Sequence, residues 1–180
     1  DQLARRAAGE TAYIRRLVSP FVGHFLPGTG RPVWKRERYI VDTGFHWGEW
    51  LRAGEKNERS WWQSLFTPPA VVATAYFAHS SALLADIAEV LGEDADAKHY
   101  REHGRVVAAA WRKAFVGAGG ARIGEDKQDD YVRALAFGLL LDEQRPAALA
   151  RLVELVEATG GHVGTGFLST PLPLPALADA

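Results

Sequence analysis

The sequence contains no cysteine, and this absence excludes disulfide bonds, thiol catalysis and every cysteine-ligated metal site. No continuous apolar run approaches the roughly 18 residues that a membrane-spanning helix needs. Lysine and arginine total 21 against 22 aspartate and glutamate residues. We therefore expect no binding to nucleic acid or to a membrane surface, because such partners are usually held by a clear excess of positive charge.

Methionine is absent as well, and the chain opens at Asp1 with nothing that resembles a signal peptide. A sequence without an initiator methionine indicates a processed product or a piece of a longer polypeptide. The missing signal peptide favours a cytoplasmic location, although the lack of cysteine does not by itself decide the compartment.

The residues that are present indicate a folded, helical chain. Apolar residues make up 47% of the sequence and charged residues 24%, which allows a core and excludes a disordered or collagen-like chain. Apolar side chains recur at helical spacing except in one long stretch, about 21–67, that is rich in glycine, proline and aromatic residues. Short connections between helices predict an all-α fold of antiparallel helical hairpins in a single domain, residues 1–180.

Helix-start and helix-stop residues divide the pattern. Thr67 precedes two prolines and predicts a helix start, and Gly92 predicts the end of the same helix. The inward face of this helix is predicted to carry Val72, Tyr76, His79, Leu83, Ile87 and Leu91. The other helices are predicted over about 3–18, 94–115, 127–140 and 146–158, with a short and poor one from Thr170.

Two histidines, His99 and His103, match the H-x-x-E-H pattern of some zinc peptidases. At this spacing both imidazoles can reach one metal ion from the same helix face. The pattern specifies no third ligand, and a solvated, charged helix surface explains the same residues. A zinc peptidase is therefore the less favoured alternative.

A second group, Asp42, His46, Trp47, Glu49 and Trp50, lies within nine residues of the long stretch. Tryptophan faces stack on the C–H-rich faces of sugars, and carboxylate and imidazole groups hydrogen-bond to hydroxyls. A carboxylate desolvated against indole rings would also have its pKa raised towards that of a general acid. Composition alone leaves two interpretations open, a sugar-binding loop or ordinary core packing.

The same loop resembles the Gly-[Asp/Glu]-Trp-Leu loop of bacterial α-L-rhamnosidases, glycoside hydrolase family 78, and the resemblance continues in order along the chain. It covers about residues 33–180, and its segments are 42–51, 71–77, 83–88, 131–138 and 161–171. The resemblance implies that the chain is part of an (α/α)6 six-hairpin barrel. It implies no cofactor, and a rhamnose-containing glycoside or oligosaccharide as the substrate.

By the same resemblance, the parent protein would hydrolyse terminal α-L-rhamnose with inversion, using two carboxylates. The family's general acid lies in an Arg-Asp-Glu-Arg-type stretch, which this sequence lacks, and its general base lies in a later segment. We therefore expect an incomplete, inactive piece, with Glu49 as a weak candidate for acid–base catalysis. The implied substrate-binding residues are Asp42, His46, Trp47, Glu49, Trp50, His162 and Thr165.

Two further expectations concern the rest of the molecule. The remainder of the parent barrel, or a second copy of this chain in a homodimer, would cover the apolar faces of an incomplete barrel. A non-catalytic sugar-binding or scaffold module remains the alternative function, because the aromatic loop would serve it equally well.

Overall fold

The computed structural model describes residues 39–42, 48–52 and 70–178, all within one compact unit, Arg36–Ala180. The helix predicted over 3–18 and most of the long stretch 21–67 lie outside the described residues. The single domain over 1–180 stays a prediction.

The described residues form helical hairpins, which confirms the predicted fold class. In chain order the elements are α1 (Ala70–Val90), α2 (Asp94–Phe115), β1 (Val116–Gly117), a 3-10 turn (Ala118–Gly120), β2 (Arg122–Ile123), α3 (Gln128–Ala136), a 3-10 turn (Asp142–Gln144), α4 (Arg145–Ala158) and α5 (Pro173–Ala178). The antiparallel hairpin in which Val116 pairs with Ile123 was not expected from the sequence. It connects α2 to the loop that precedes α3.

α1 and α2 form a tightly packed antiparallel pair, with small residues between them. The buried α1 positions include Ala78, Ser81 and Ala85, and the first two lie against Gly104 of α2. A Cβ atom built on Gly104 would lie 3.4 Å from the Ala78 carbonyl oxygen and 3.4 Å from the Ser81 Cβ. The two helices can approach this closely because neither presents a large side chain at that point.

The predicted inward face of α1 is wrong in its second half. Leu83, Ile87 and Leu91 are 47%, 55% and 56% exposed, although Val72 is buried as expected. The physical reason is the close approach to α2, which selects the alanine and serine face and turns the leucine and isoleucine side chains outwards.

α1 is long and apolar enough to cross a membrane by length and composition, with a mean hydropathy of 1.3 over an 18-residue window. It is not a continuous apolar run, because serine, threonine and histidine residues are scattered along the helix. Core helices share the same length and composition, and here two buried hydroxyls of α1 have partners. Thr74 Oγ1 accepts the Val41 N–H at 3.0 Å, and Ser81 Oγ donates to the Phe77 carbonyl oxygen at 2.8 Å.

α3 lies at the centre of the described fold and packs against α1, α4 and α5. Every residue from Gln128 to Leu135 is buried, including four with polar or charged side chains. The helix ends at Ala136, short of the predicted residue 140. Gly138 adopts a φ of +61°, and the Leu139 N–H donates a hydrogen bond to the Ala134 carbonyl oxygen, which is typical of a helix C-terminus.

We expect Gly104→Leu to lower the free energy of unfolding by about 1–3 kcal/mol, because a large side chain would force α1 and α2 apart. Urea denaturation of the 180-residue chain measures this change. Ala109→Leu, on the exposed side of α2, is the matched control and should leave the midpoint nearly unchanged. Equal midpoints for the two variants would contradict the close packing at Gly104.

Candidate functional site

Glu49 is the residue of the predicted sugar loop on which the described site is built. Its side chain is fully buried. Oε1 accepts the Ser169 N–H at 2.9 Å, and Oε2 accepts the Ser169 hydroxyl at 2.7 Å together with a hydrogen bond from Arg133 Nη1. The Glu49 segment, residues 48–52, is thereby fastened both to α3 and to the Thr165 segment, residues 162–169.

Arg133 binds three carboxylates at once. Besides Glu49, it donates from Nη2 to Asp129 Oδ2 and to Asp130 Oδ1, each at 2.8 Å. These aspartates precede Arg133 by four and three residues on α3, so all three side chains share one helix face. All four side chains are fully buried, and burial of such charges is tolerated only where each is paired.

A second arginine joins the cluster from the Glu49 segment. Arg52 binds Asp129 through two parallel hydrogen bonds, Nε to Oδ1 at 3.0 Å and Nη2 to Oδ2 at 2.9 Å. We call Glu49, Arg52, Asp129, Asp130 and Arg133 the charge cluster. It contains three carboxylates and two guanidinium groups, so one negative charge is in excess when all five are ionised.

The two neighbouring aspartates differ in acidity. Burial raises the pKa of Asp129, but the hydrogen bonds and charges of Arg52 and Arg133 outweigh this and hold it below its ordinary value. Burial, together with repulsion from Asp129, raises the pKa of Asp130 to about 6. Of the two aspartates, Asp130 is therefore the one that takes up a proton first as the pH falls, which removes one negative charge from the cluster.

The Glu49 and Thr165 segments touch through their backbones. The Phe167 N–H donates to the Trp50 carbonyl oxygen at 2.6 Å. A Cβ atom on Gly166 would lie 2.4 Å from that carbonyl oxygen and 2.9 Å from Glu49 Cγ. Only glycine fits there, and the contact leaves the Trp50 and Phe167 side chains 43% and 71% exposed.

The other predicted residues of the aromatic loop are placed as follows. Asp42 is exposed and follows Val41, whose N–H is bound by α1. Trp50 is partly exposed beside the Thr165 segment. His46 and Trp47 lie outside the described residues.

His162 and Thr165 occupy the opposite segment. His162 is exposed, and its carbonyl oxygen accepts hydrogen bonds from Gln128 Nε2 at 3.1 Å and Thr159 Oγ1 at 2.7 Å. Thr165 is buried, with its hydroxyl 3.2 Å from that of Thr170. The structure thus brings Glu49 and Trp50 against the segment that carries Thr165, whereas sugar binding by these residues stays a prediction.

The His99 and His103 alternative finds no support as a metal site. In the part of the chain that the structure describes, no group of three or more histidine, aspartate or glutamate side chains is placed to hold a metal ion. His103 Nδ1 lies 3.2 Å from the Ser81 hydroxyl, and burial lowers the His103 pKa. The two histidines line an open groove of about 430 Å³ together with Tyr39 and Lys98.

Sequence reasoning missed Arg133, its two aspartates and Ser169. One signal was available, since Asp129 and Asp130 stand four and three residues before Arg133 on a predicted helix. That pattern is usual on solvated helix faces, and only the surrounding apolar residues, such as Tyr131 and Val132, indicate burial. Nothing near Ser169 in the sequence marks it as a partner of Glu49.

Comparison with known proteins decides the family. The protein-family model described as the bacterial alpha-L-rhamnosidase 6 hairpin glycosidase domain matches residues 33–180. The chain belongs to this family. An alpha-L-rhamnosidase of Streptomyces avermitilis is 40% identical over 133 residues, which is 74% of this chain and 12% of the relative. This chain therefore spans only about an eighth of the length of that rhamnosidase.

Solved structures agree with the family. The crystal structure of the Streptomyces avermitilis alpha-L-rhamnosidase complexed with L-rhamnose is 41% identical, with a TM-score of 0.62 over 73% of this chain and 12% of that one. The alpha-L-rhamnosidase of Aspergillus terreus is 26% identical, with a TM-score of 0.65 over 75% of this chain and 15% of that one. The predicted resemblance to rhamnosidases and the helical-hairpin fold are both confirmed.

We expect the stability difference between Asp130→Asn and the wild-type chain to depend on pH. A carboxyl group with a pKa of about 6 binds its proton more tightly in the folded than in the unfolded chain. The stability gained from this tighter proton binding is therefore fully present below about pH 4, and it is lost as the pH rises to about 6. Asparagine does not titrate. The stability of the variant should therefore fall furthest below that of the wild type near pH 4, and the difference should shrink towards pH 7.

Thermal unfolding of both chains between pH 4 and pH 8 measures this difference. Glu102→Gln, at an exposed α2 position, is the control and should give a profile parallel to the wild type. A difference between Asp130→Asn and the wild type that stays constant with pH would show that Asp130 does not titrate in this range.

Proposed function

We propose that this chain is part of the catalytic domain of a glycoside hydrolase that removes terminal α-L-rhamnose from glycosides. The family match over residues 33–180 carries the proposal. The L-rhamnose complex of the Streptomyces avermitilis enzyme, 41% identical to this chain, supports rhamnose as the sugar. Rhamnose-containing glycosides or oligosaccharides are the proposed substrates.

The proposed chemistry is an inverting hydrolysis. One carboxylic acid protonates the leaving oxygen, and a second carboxylate activates a water molecule on the opposite face of the sugar ring. We assign neither role within this chain. Glu49 is a poor candidate because hydrogen bonds from Ser169 and Arg133 occupy both of its oxygens. The proposed role of this chain is to form part of the sugar-site wall.

In this proposal the exposed side chains contact the sugar and the buried ones support them. Trp50 offers an indole face beside the Thr165 segment, and Asp42 and His162 are exposed polar groups. Glu49 and Thr165 are buried and act on the sugar through the loops that they hold.

The exposed apolar face of α1 is the proposed contact with further protein. Leu83, Ile87 and Val90 are 47%, 55% and 86% exposed, which is unusual for neighbouring residues of one helix in an isolated protein. We propose that the rest of a barrel covers this face and that, without it, a second copy of the chain does so in a homodimer.

We expect Glu49→Ala to weaken L-rhamnose binding to this chain at least tenfold, because the hydrogen bonds of the Glu49 carboxylate to Ser169 and Arg133 hold the Glu49 segment, and with it Trp50, beside the Thr165 segment. Calorimetric or NMR titration with L-rhamnose measures the affinity. Glu102→Ala is the matched control, since that side chain is 59% exposed on α2 and should have little effect. Equal affinities for the two variants would limit the Glu49 segment to a role in folding.

We expect the 180-residue chain alone to show no measurable hydrolysis of an aryl α-L-rhamnoside. Loss of one positioned acid or base costs about 10²–10⁴-fold in rate, and here neither residue is assigned. A spectrophotometric assay of aryl alcohol release measures the rate. Robust turnover that Glu49→Gln abolishes would overturn this expectation and make Glu49 the acid.

A non-catalytic sugar-binding module is the second candidate. It is favoured by one observation, that the buried carboxylates Glu49, Asp129 and Asp130 are all bonded to arginine and not aimed at an open site. Sugar binding without hydrolysis in a longer polypeptide that contains this chain would favour the module over the enzyme.

A further inference from the structure

Two residues of the Glu49 segment, Glu49 and Arg52, are each bonded to a residue of α3. Glu49 is bonded to Arg133, and Arg52 is bonded to Asp129 through two hydrogen bonds. Between these two attachments Trp50 and Leu51 are exposed, and Leu51 has a φ of +60°, in the left-handed region that side chains other than glycine rarely adopt. The left-handed backbone at Leu51 therefore lies between two attachments that hold it in place.

The Thr165 segment is held by the same arginine. Arg133 Nη1 donates to the Ser169 hydroxyl at 2.8 Å, and that hydroxyl donates to Glu49. Two residues earlier, Phe167 donates its N–H to the Trp50 carbonyl oxygen. Arg133 is thus the one described side chain that bonds directly to both the Glu49 and the Thr165 segments.

We infer that Arg133 is a positioning residue that fixes Trp50 relative to the Thr165 segment and so sets the shape of the sugar site. The inference rests on the proposed function, because it assigns a purpose to the contact between these two segments. Arg133 itself is fully buried, so in this inference it acts through the two segments and not on the sugar directly.

The chemistry of the side chain agrees with this role. A guanidinium group presents its donors in a planar fork and can bind several acceptors in fixed directions, whereas the ammonium group of lysine is a single point charge on a flexible stem. Buried ion pairs contribute little net stability relative to apolar packing of the same volume. What Arg133 adds over an apolar residue is therefore a fixed geometry among three segments of the chain.

The test combines amide hydrogen exchange with L-rhamnose titration on the 180-residue chain. In Arg133→Lys we expect the Phe167 amide to exchange at least tenfold faster, while buried α1 amides such as that of Ala85 keep their wild-type rates. L-rhamnose affinity should fall at least tenfold in the same variant.

Gly166→Ala provides an independent variant that leaves every charge in place. Its Cβ would collide with the Trp50 carbonyl oxygen, so it should separate the two segments and reproduce both effects. Gly117→Ala is the control, because the nearest atom to its Cβ is 3.9 Å away and its φ is −118°. This control should change neither the Phe167 exchange rate nor the affinity.

The outcomes separate the inference from the proposed function. If Arg133→Lys accelerates exchange at Phe167 and Ala85 alike, Arg133 stabilises the whole fold and the inference is wrong. If Phe167 exchange rises in both variants but rhamnose affinity is unchanged, the contact does not shape a sugar site and the inference also fails. If the wild-type chain binds no rhamnose, the proposed sugar site fails in this chain, and the Phe167 exchange rate still decides whether Arg133 holds the two segments together.

Discussion

The pairing of Arg133 with three buried carboxylates is the interaction on which the described site depends. A charge removed from water must be matched by opposite charge and hydrogen bonds, and here the matching groups come from different parts of the chain. Glu49 lies 84 residues before Arg133, and Ser169 lies 36 residues after it. Separation of these segments would leave buried charges without partners, so the ion pairs favour the arrangement in which α3 and the two loops stay in contact.

The helices around α3 make this arrangement possible. Trp111 is fully buried on α2 and donates its indole N–H to the Val71 carbonyl oxygen at 2.8 Å. This hydrogen bond joins the start of α1 to the last turns of α2. Arg112 donates to the Leu139 carbonyl oxygen at 2.8 Å, just after the glycine that ends α3. Because every residue of α3 from Gln128 to Leu135 is buried, the charges of Asp129 and Arg133 need partners within the protein.

The family match accounts for the fold, and the geometry of the charge cluster accounts for the contact between the two loops. Membership in the bacterial rhamnosidase family explains the helical hairpins, whereas the charge cluster explains how two loops come to share one surface. Trp50 and Phe167 project from that surface, and both are joined through a backbone hydrogen bond. Gly166 belongs to the same contact between the two loops, since any side chain at this position would separate them.

Among the described elements, the sequence by itself determined α1, α2 and α4, because these helices depend on local periodicity, helix-stop residues and residue types. It predicted α2 at its observed bounds, and the residues around Trp50 indicated the rhamnosidase resemblance. Only the tertiary structure decided which face of α1 is buried and that Glu49 turns inwards to Arg133. The physical reason is that side-chain burial and ion pairing depend on segments far apart in the chain, whereas helix signals lie within a few consecutive residues.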